Sequence, residues 1–349
     1  MSKARELANL GNAYSDGALS NRNKIINGAM VIDQRNGGGS VIPAGSSYTL
    51  DRWRIGASAA SKVSVQQSSV APEGFSNSTL ITSVSAYTIG SGEEINFGQR
   101  IEGYNTSDLG WGTTSAKTVT LSFWVRSSLT GLFSGAVKNA DGTRSYAFTY
   151  SINAANTWEY KSVTIQGDTS GTWSATNSTG VIAQFMIAAG SSLLITANAW
   201  ASGNYAGAVG ATNLVATNGA TLYFTGVQLE LGDTATPFEH RSYGDELARC
   251  QRYYEVGKLK TVAAVKTFSS TSTNDAAGWN WRVIKRATPT VTIYSGIGTA
   301  DRISLYNSGS TEYVVSFVNN PDENGFSSVV TTTNFERDVL FSWIAEAEL

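Results

Sequence analysis

Catalysis requires titratable side chains that converge, and this sequence supplies few of them. Its single histidine is His240, within PFEHRSYG, where one imidazole without a partner motif reads as part of a structural segment rather than as a general base. No G-x-S-x-G nucleophile elbow, H-E-x-x-H metal motif, P-loop or dinucleotide-binding glycine pattern is present. Carboxylates are the remaining catalytic candidates, because glycoside hydrolysis needs two acids about 5–10 Å apart. Glu93, Glu94, Glu102 and Asp108 form one local acidic cluster. Neighbouring Glu93 and Glu94 point to opposite faces of a strand, so they read as solvated acids and not as a pair. Asp108, Asp141 and Asp168 fall in turns without the spacing of a calcium loop. No metal, no cofactor and no enzymatic activity is expected.

Binding chemistry is better represented. Aromatic rings in polar loops stack on the apolar faces of sugar rings, while Asn and Asp bond the hydroxyls. Tyr104, Asn105, Asp108 and Trp111 in YNTSDLGW form one such platform, and Trp173, Trp200 and Tyr205 offer others. The alternative for each is a ring that covers a loop base or a subunit contact. Trp279 and Trp281 in GWNWRV alternate on one predicted strand and would line either a distal binding surface or an intersubunit core. Trp53 in LDRWRI is expected in the core. The single cysteine, Cys250, excludes an intrachain disulfide and reads as a buried thiol.

These residues must be carried by strands. In KTVTLSFWVRS, Val119, Leu121, Phe123 and Val125 alternate with polar positions and Trp124, so one face meets a core and Trp124 faces outward, where it could meet a subunit. Leu222 to Leu231 alternates in the same way, with a bulge expected near Gly226. Asp141-Gly142 predicts a hairpin turn. Ala188 to Ala220, rich in Ala, Gly, Ser and Asn, reads as a long surface loop. A short helix is expected over residues 241–256, with Leu247, Cys250 and Tyr254 on one face. Beyond it, seven short segments (VAAVKTF, WNWRVIK, TVTIYS, RISLYN, EYVVSFV, FSSVVTT and VLFSWIA) predict strands. The reading is all-β: an antiparallel sandwich of jelly-roll type over 23–240, the connecting helix, and a second, smaller β-sandwich over 257–349. Residues 1–22 form an arm whose stripe of Ala4, Leu7 and Leu10 is too short for a lone helix, so it either docks to a partner or frays.

Three segments carry a resemblance. NKIINGAMVIDQR at 23–35, YTLDRWRI at 48–55 and ATPFEHRSYGDELARCQRYYE at 235–255 resemble, in that order, motifs of tail-fibre and related tail proteins of tailed bacteriophages. RATPTVTIYSG at 286–296 with the terminal AEL is similar to a small β-domain that often ends such chains. The resemblance implies that the first and last motifs open and close a jelly roll like that of carbohydrate-binding modules. It also implies a homotrimer, attachment to other virion proteins through Leu7 and Leu10 of the arm, and adhesion to a host-surface glycan. A purely structural virion component, such as a capsid decoration, head fibre or tail-assembly protein, is the competing class; a glycan-cleaving tail enzyme is the third.

Composition narrows the partners. With 25 basic and 27 acidic residues the net charge is −2, which supplies no positive field for a phosphate backbone, so nucleic acid is not expected. The first 21 residues lack the apolar core of a secretory signal, and no later segment has the ~20 apolar residues of a membrane helix. Synthesis in a reducing cytoplasm and residence on the virion, without membrane insertion, are the expectations.

Overall fold

A computed structural model describes residues 21–257, 274–305, 308–331 and 339–349, with Lys3 and Arg5. Leu7 and Leu10 of the expected arm, and the strand expected over VAAVKTF, lie outside the described residues. The chain divides into two compact units, residues 1–243 with Leu349 and residues 244–348.

The first unit is a sandwich of two antiparallel sheets. In spatial order, one contains β1 (Ser47–Leu50), β2 (Trp53–Ala57), β5 (Glu94–Glu102), β10 (Thr179–Ala189), β7 (Gly131–Lys138), β8 (Arg144–Ile152) and β12 (Trp200–Ser202). The other contains β3 (Val63–Ser68), β4 (Ser78–Ser83), β14 (Thr221–Leu231), β6 (Val119–Ser127) and β9 (Glu159–Ile165). Neighbours in space are seldom neighbours in sequence, so the chain crosses repeatedly between the sheets. The alternation read from the sequence is what fills the interior: Val119, Leu121, Phe123 and Val125 of β6 are buried with Leu222, Phe224, Val227 and Leu229 of β14. Phe224 stacks on Phe185 at 4.2 Å, and Trp53 stacks on Phe97 at 4.9 Å.

The expected bulge is present. The β14–β6 register shifts between Thr225 and Gln228, with Gly226 at φ 59°. It leaves the Val227 backbone groups free for another segment: Val227 N–H donates to Gly28 O at 3.0 Å, and Val227 O accepts from Asn23 Nδ2 at 3.0 Å. A Cβ on Gly28 would lie 2.2 Å from Val227 O, so this crossing requires glycine.

The three sequence motifs meet here. Asn23 Oδ1 accepts from the amides of Ile25 and Leu229. The Glu239 carboxylate accepts from the amides of Asn21 and Asn23, and Arg241 donates to the carbonyls of Ile25 and Asn23. Buried Asn27 bonds both backbone groups of Ile32 and the carbonyl of Asp51, while its own carbonyl accepts from Trp53 Nε1 at 2.9 Å. The opening and closing segments, more than 200 residues apart in sequence, are therefore laced to each other and to the Asp-Arg-Trp turn. These bonds satisfy backbone groups that leave the sheets, several of them buried. His240 belongs to the same end, its ring 5.2 Å from Phe75 and 4.9 Å from Phe238.

Two stretches depart from the sequence reading. Ala188–Ala220 is not one loop: β11 (Leu194–Ile195) pairs with β13 (Gly207–Ala208) in parallel, and Trp200–Ser202 adds β12 to the edge of β8. The Ala and Gly content concealed short pairings whose backbone bonds need little side-chain burial. The helix spans Tyr243–Gln251 and ends before the predicted limit, and Tyr254–Gly257 becomes a strand antiparallel to Val339–Glu346. Tyr254 thus leaves the helical face, while Cys250 is buried as expected.

The second unit is again β. Strands Tyr254–Gly257, Val339–Glu346, Arg302–Leu305, Ser308–Asn319, Gly325–Thr331 and Asn274–Asn280 follow one another along an antiparallel hydrogen-bonded path, and Thr290–Ser295 pairs with Val339–Glu346 off that path. WNWRVIK is not a strand throughout, since pairing stops at Asn280. Trp281 is buried 4.9 Å from Trp343 and 5.5 Å from Phe326, and Trp279 packs on the same cluster. The alternation that suggested a distal surface or an intersubunit core for Trp279 and Trp281 instead feeds this unit's own core.

Candidate functional site

The outward face of the seven-stranded sheet forms a cleft of ≈ 320 Å³. Register determines its contents. Arg54 of β2 lies opposite Gly98 of β5, which lies opposite Gln184 of β10. In the adjoining row Arg100 faces Ile182, which faces Lys138. Asn96 stands opposite Gly56. The inward alternates, Ile55, Phe97, Ile101, Val137 and Phe185, are buried in the core. A strand spacing of about 4.8 Å puts the backbones of Arg100 and Lys138 roughly 10 Å apart across β10. Gly98 keeps the floor bare, because a Cβ there would lie 2.7 Å from Gln184 Cα and force β5 away from β10.

Cations outnumber acids in the cleft, where Arg54, Arg100 and Lys138 stand with Glu94 and Asp141. Among the described residues no carboxylate lies in ion-pair reach of Arg54, Arg100 or Lys138; Lys138 Nζ donates to the neutral Asn204 Oδ1 at 2.9 Å. Burial holds the Lys138 ammonium below the usual lysine range; Arg100 and Arg54 push the same way and Glu94 opposes them. Burial, then Arg100, likewise lowers Arg54. Gln184 is 4 % exposed, and its Nε2 finds no hydrogen-bond partner among the described residues. The cleft therefore offers donors of positive charge and an unused amide, an arrangement suited to an acceptor-rich ligand.

A pH dependence of stability follows. A lysine whose folded pKa is depressed binds fewer protons folded than unfolded, between that value and the ordinary 10.5. Stability therefore rises as pH climbs through that window. Lys138→Met should be more stable than the natural protein by about 1 kcal/mol at pH 7, with the gap closing toward pH 10. Above pH ~10 buried Tyr150, whose ionisation burial opposes, works in the other direction for both proteins. Urea midpoints of the two proteins from pH 6 to 9.5 check this; a gap that does not move with pH would assign no cost to the Lys138 charge.

Of the residues singled out from the sequence, Glu94 and Asp141 line this cleft and the candidate glycan-binding residues lie elsewhere. Tyr104 and Asn105 are exposed on a 3-10 turn, and Asp108 on the next turn pairs with Lys24 at 2.6 Å. Trp111 is buried, and its indole N–H donates to Lys117 O. Trp173 and Trp200 pack edge-on against it at 4.8 and 5.3 Å and against each other at 5.5 Å, and their indole N–H groups donate to Ser170 O and Gln166 O. The three tryptophans therefore converge, but as a mutual plug with satisfied donors. Trp111 is removed from the surface and cannot stack on a sugar. Tyr205 is half-buried beside the hairpin, its amide bonded to Ser145 Oγ. Asp168 is taken by Arg144 through two bonds of 2.7 and 2.8 Å.

The acids do not converge either. The Gly90 amide and the Tyr87 hydroxyl both donate to Glu93 and hold its carboxyl below the usual range. Glu94 lines the cleft, Glu102 is buried, and Asp108 faces Lys24. Among the described residues no group of three or more His, Cys, Asp or Glu could hold a metal, and no helix is long and apolar enough to cross a membrane.

The outer face of the five-stranded sheet carries rings that the sequence reading largely passed over. Trp124 lies 5.5 Å from Tyr160, Trp158 lies 6.0 Å from Tyr223, and the Arg126 guanidinium sits 5.0 Å above the Tyr223 ring. Tyr160 is 45 % exposed, which leaves this face partly open.

No family model and no curated protein matches the sequence. Solved structures with similar backbones include the enzymatically active domain of tailspike protein 4 of bacteriophage CBA120 (15% identity, TM-score 0.34), of which this chain covers 22% while 61% of this chain is matched. A putative sugar-binding protein from Bacteroides thetaiotaomicron matches 60% of the chain over 100% of its own length, at 14% identity and TM-score 0.35. The module TmCBM61, solved with β-1,4-galactotriose, matches 60% of the chain over 99% of its length, at 11% identity and TM-score 0.30.

Proposed function

We propose that this chain is a non-enzymatic virion protein of the tail-fibre type that adheres to a host-surface glycan through the cleft on its seven-stranded sheet. The observation that carries the reading is the cleft itself: a ≈ 320 Å³ recess on the face of a sheet, lined by Arg54, Asn96, Lys138 and Gln184, the last with an amide donor that finds no partner among the described residues. Polar groups fixed by strand register are pre-organised, so little side-chain entropy opposes binding. The virion setting rests on the three motifs that lace the sandwich shut, and the homotrimer rests on the same resemblance. Three weak sites on one particle would raise avidity by ~10²–10⁴.

Titration of the purified chain with host-surface polysaccharide, with its oligomeric mass measured in the same preparation, tests this. Saturable binding by a trimer, lost on Asn96→Ala, is expected. A folded oligomer that binds no glycan would favour a second reading, a structural virion part, for which the Trp124–Tyr160 and Trp158–Tyr223 face is a ready protein contact. Release of reducing ends from the polysaccharide would overturn the non-enzymatic assignment.

A further inference from the structure

Neutral sugars are held mainly by hydroxyl hydrogen bonds and by rings that stack on their apolar faces. This cleft has a different chemistry. Its lining holds no aromatic side chain but three cations, Arg54, Arg100 and Lys138, against two carboxylates, Glu94 and Asp141. Cations so placed repel one another, and both Arg54 and Lys138 bear the cost of being partly or wholly removed from water. Charges in such positions are ordinarily paired. Here no carboxylate of the described residues forms an ion pair with them, and Glu94 only partly offsets the burial of Arg54 and Lys138, so a closer negative partner is sought outside the chain. Gln184 adds an independent sign. Its amide is 4 % exposed and its Nε2 lacks an acceptor, while Gly98, between it and Arg54, leaves an unfilled floor.

We propose that the cleft takes an acidic polysaccharide, with the anionic group of one sugar held between Arg54 and Arg100 and a neighbouring ring or hydroxyl oxygen accepting from Gln184 Nε2. This rests on the glycan-adhesion reading above and specifies its ligand class. The two guanidiniums supply forked donors that match the two oxygens of a carboxylate or the oxygens of a phosphate. Lys138, pinned to Asn204, contributes charge from the next row without a fork. Nucleic acid is the less suitable polyanion: the net charge of −2 gives no extended positive track, and the cations are confined to one recess.

The test uses the full chain and four acidic probes, glucuronate, galacturonate, N-acetylneuraminate and galactose 1-phosphate. Glucose, galactose and their neutral oligomers serve as counterparts, with a short single-stranded DNA alongside. At least one acidic sugar should bind tenfold or more tightly than its neutral counterpart, with affinity falling as salt is raised. Arg54→Gln and Arg100→Gln should each weaken it by tenfold or more, and Arg54→Lys should give a smaller loss because the charge stays while the fork is gone. Thermal melts of each variant separate lost binding from lost folding. The carboxylate and phosphate probes distinguish the two sources of the anion, and preference for either supports the proposal. Neutral oligomers that bind as well as the acids, with Asn96→Ala abolishing both, would overturn the anionic ligand while leaving glycan adhesion intact. Acid binding that survives both Gln variants, or DNA that outcompetes the sugars, would also overturn it. Binding of no sugar at all would remove both readings.

Discussion

Trp53→Ala is expected to lower the stability of the N-terminal sandwich by about 3–5 kcal/mol, the cost of truncating a large, fully buried aromatic. Trp53 is 1 % exposed, stacks on Phe97, and donates its indole N–H to the carbonyl of Asn27. The substitution leaves a cavity between β2 and β5 and orphans a buried carbonyl in the segment that ties the opening motif to the sheet, and the two penalties add. A domain of ordinary stability has about 5–15 kcal/mol in total, so much of the margin disappears. Arg54 is the next residue on the same strand, so the geometry of the cleft should loosen before the sandwich unfolds. Trp53→Phe keeps most of the ring and should cost ~1–2 kcal/mol, mainly the lost indole hydrogen bond. Urea denaturation followed by near-ultraviolet circular dichroism checks both. A Trp53→Ala midpoint within ~1 kcal/mol of the natural protein would mean that the stack and the Asn27 bond contribute little.

That linkage explains which parts of the molecule were readable in advance. The strands of the sandwich announce themselves locally, since Val119, Leu121, Phe123 and Val125 alternate within nine residues and all four are buried. The bulge at Gly226 and the turn at Asp141-Gly142 are equally local, each fixed by one glycine at positive φ. The cleft is not local. Arg54, Arg100, Lys138 and Gln184 come from four strands spread over 130 residues, and only the registers of β2, β5, β7 and β10 place them on one face. In the sequence each is an unremarkable polar alternate. A usable signal would have been positive side chains at outward positions of several strands. The tryptophans misled for the opposite reason. Trp111, Trp173 and Trp200 sit among Gly, Ser, Thr and Asn, as loop rings that meet a ligand would, yet Trp200 lies on β12, the three rings pack on one another with Trp111 buried and the other two half-buried, and all three donate to nearby carbonyls. Polar neighbours in sequence do not report exposure when the loops fold over each other. In the second unit, WNWRVIK looked like an alternating strand because Trp279 and Trp281 both face a core. That core is reached by a chain that has already left the sheet at Asn280.

The other large effect belongs to that second unit and arises from a charge rather than a ring. Lys285 and Glu255 are both fully buried and joined through Nζ and Oε2; Lys285 also donates to Gln251 O at 2.6 Å and lies 5.5 Å from the centre of the Trp281 ring. Burial pulls Lys285 below the usual lysine range and Glu255 only partly restores it, so desolvation outweighs attraction for the cation. A pair in that state contributes little net stability, yet it is costly to break, because one partner alone is a buried charge without compensation. Lys285→Met should therefore cost about 3–5 kcal/mol, leaving Glu255, among the described residues, with the weaker, half-exposed Arg282 at 3.4 Å as its one cation. Replacing both, as Lys285→Met with Glu255→Leu, should recover most of the loss and could exceed the natural protein. The two units need not unfold together, so hydrogen exchange localised by mass spectrometry is the appropriate measurement. Amides of Tyr254–Gly257 and Val339–Glu346 should lose protection in the single variant and regain it in the double, while β6 and β14 of the sandwich stay unchanged. A double variant as weak as the single would mean that the ion pair itself, and not the avoidance of an orphaned charge, holds the closing strand against Tyr254–Gly257.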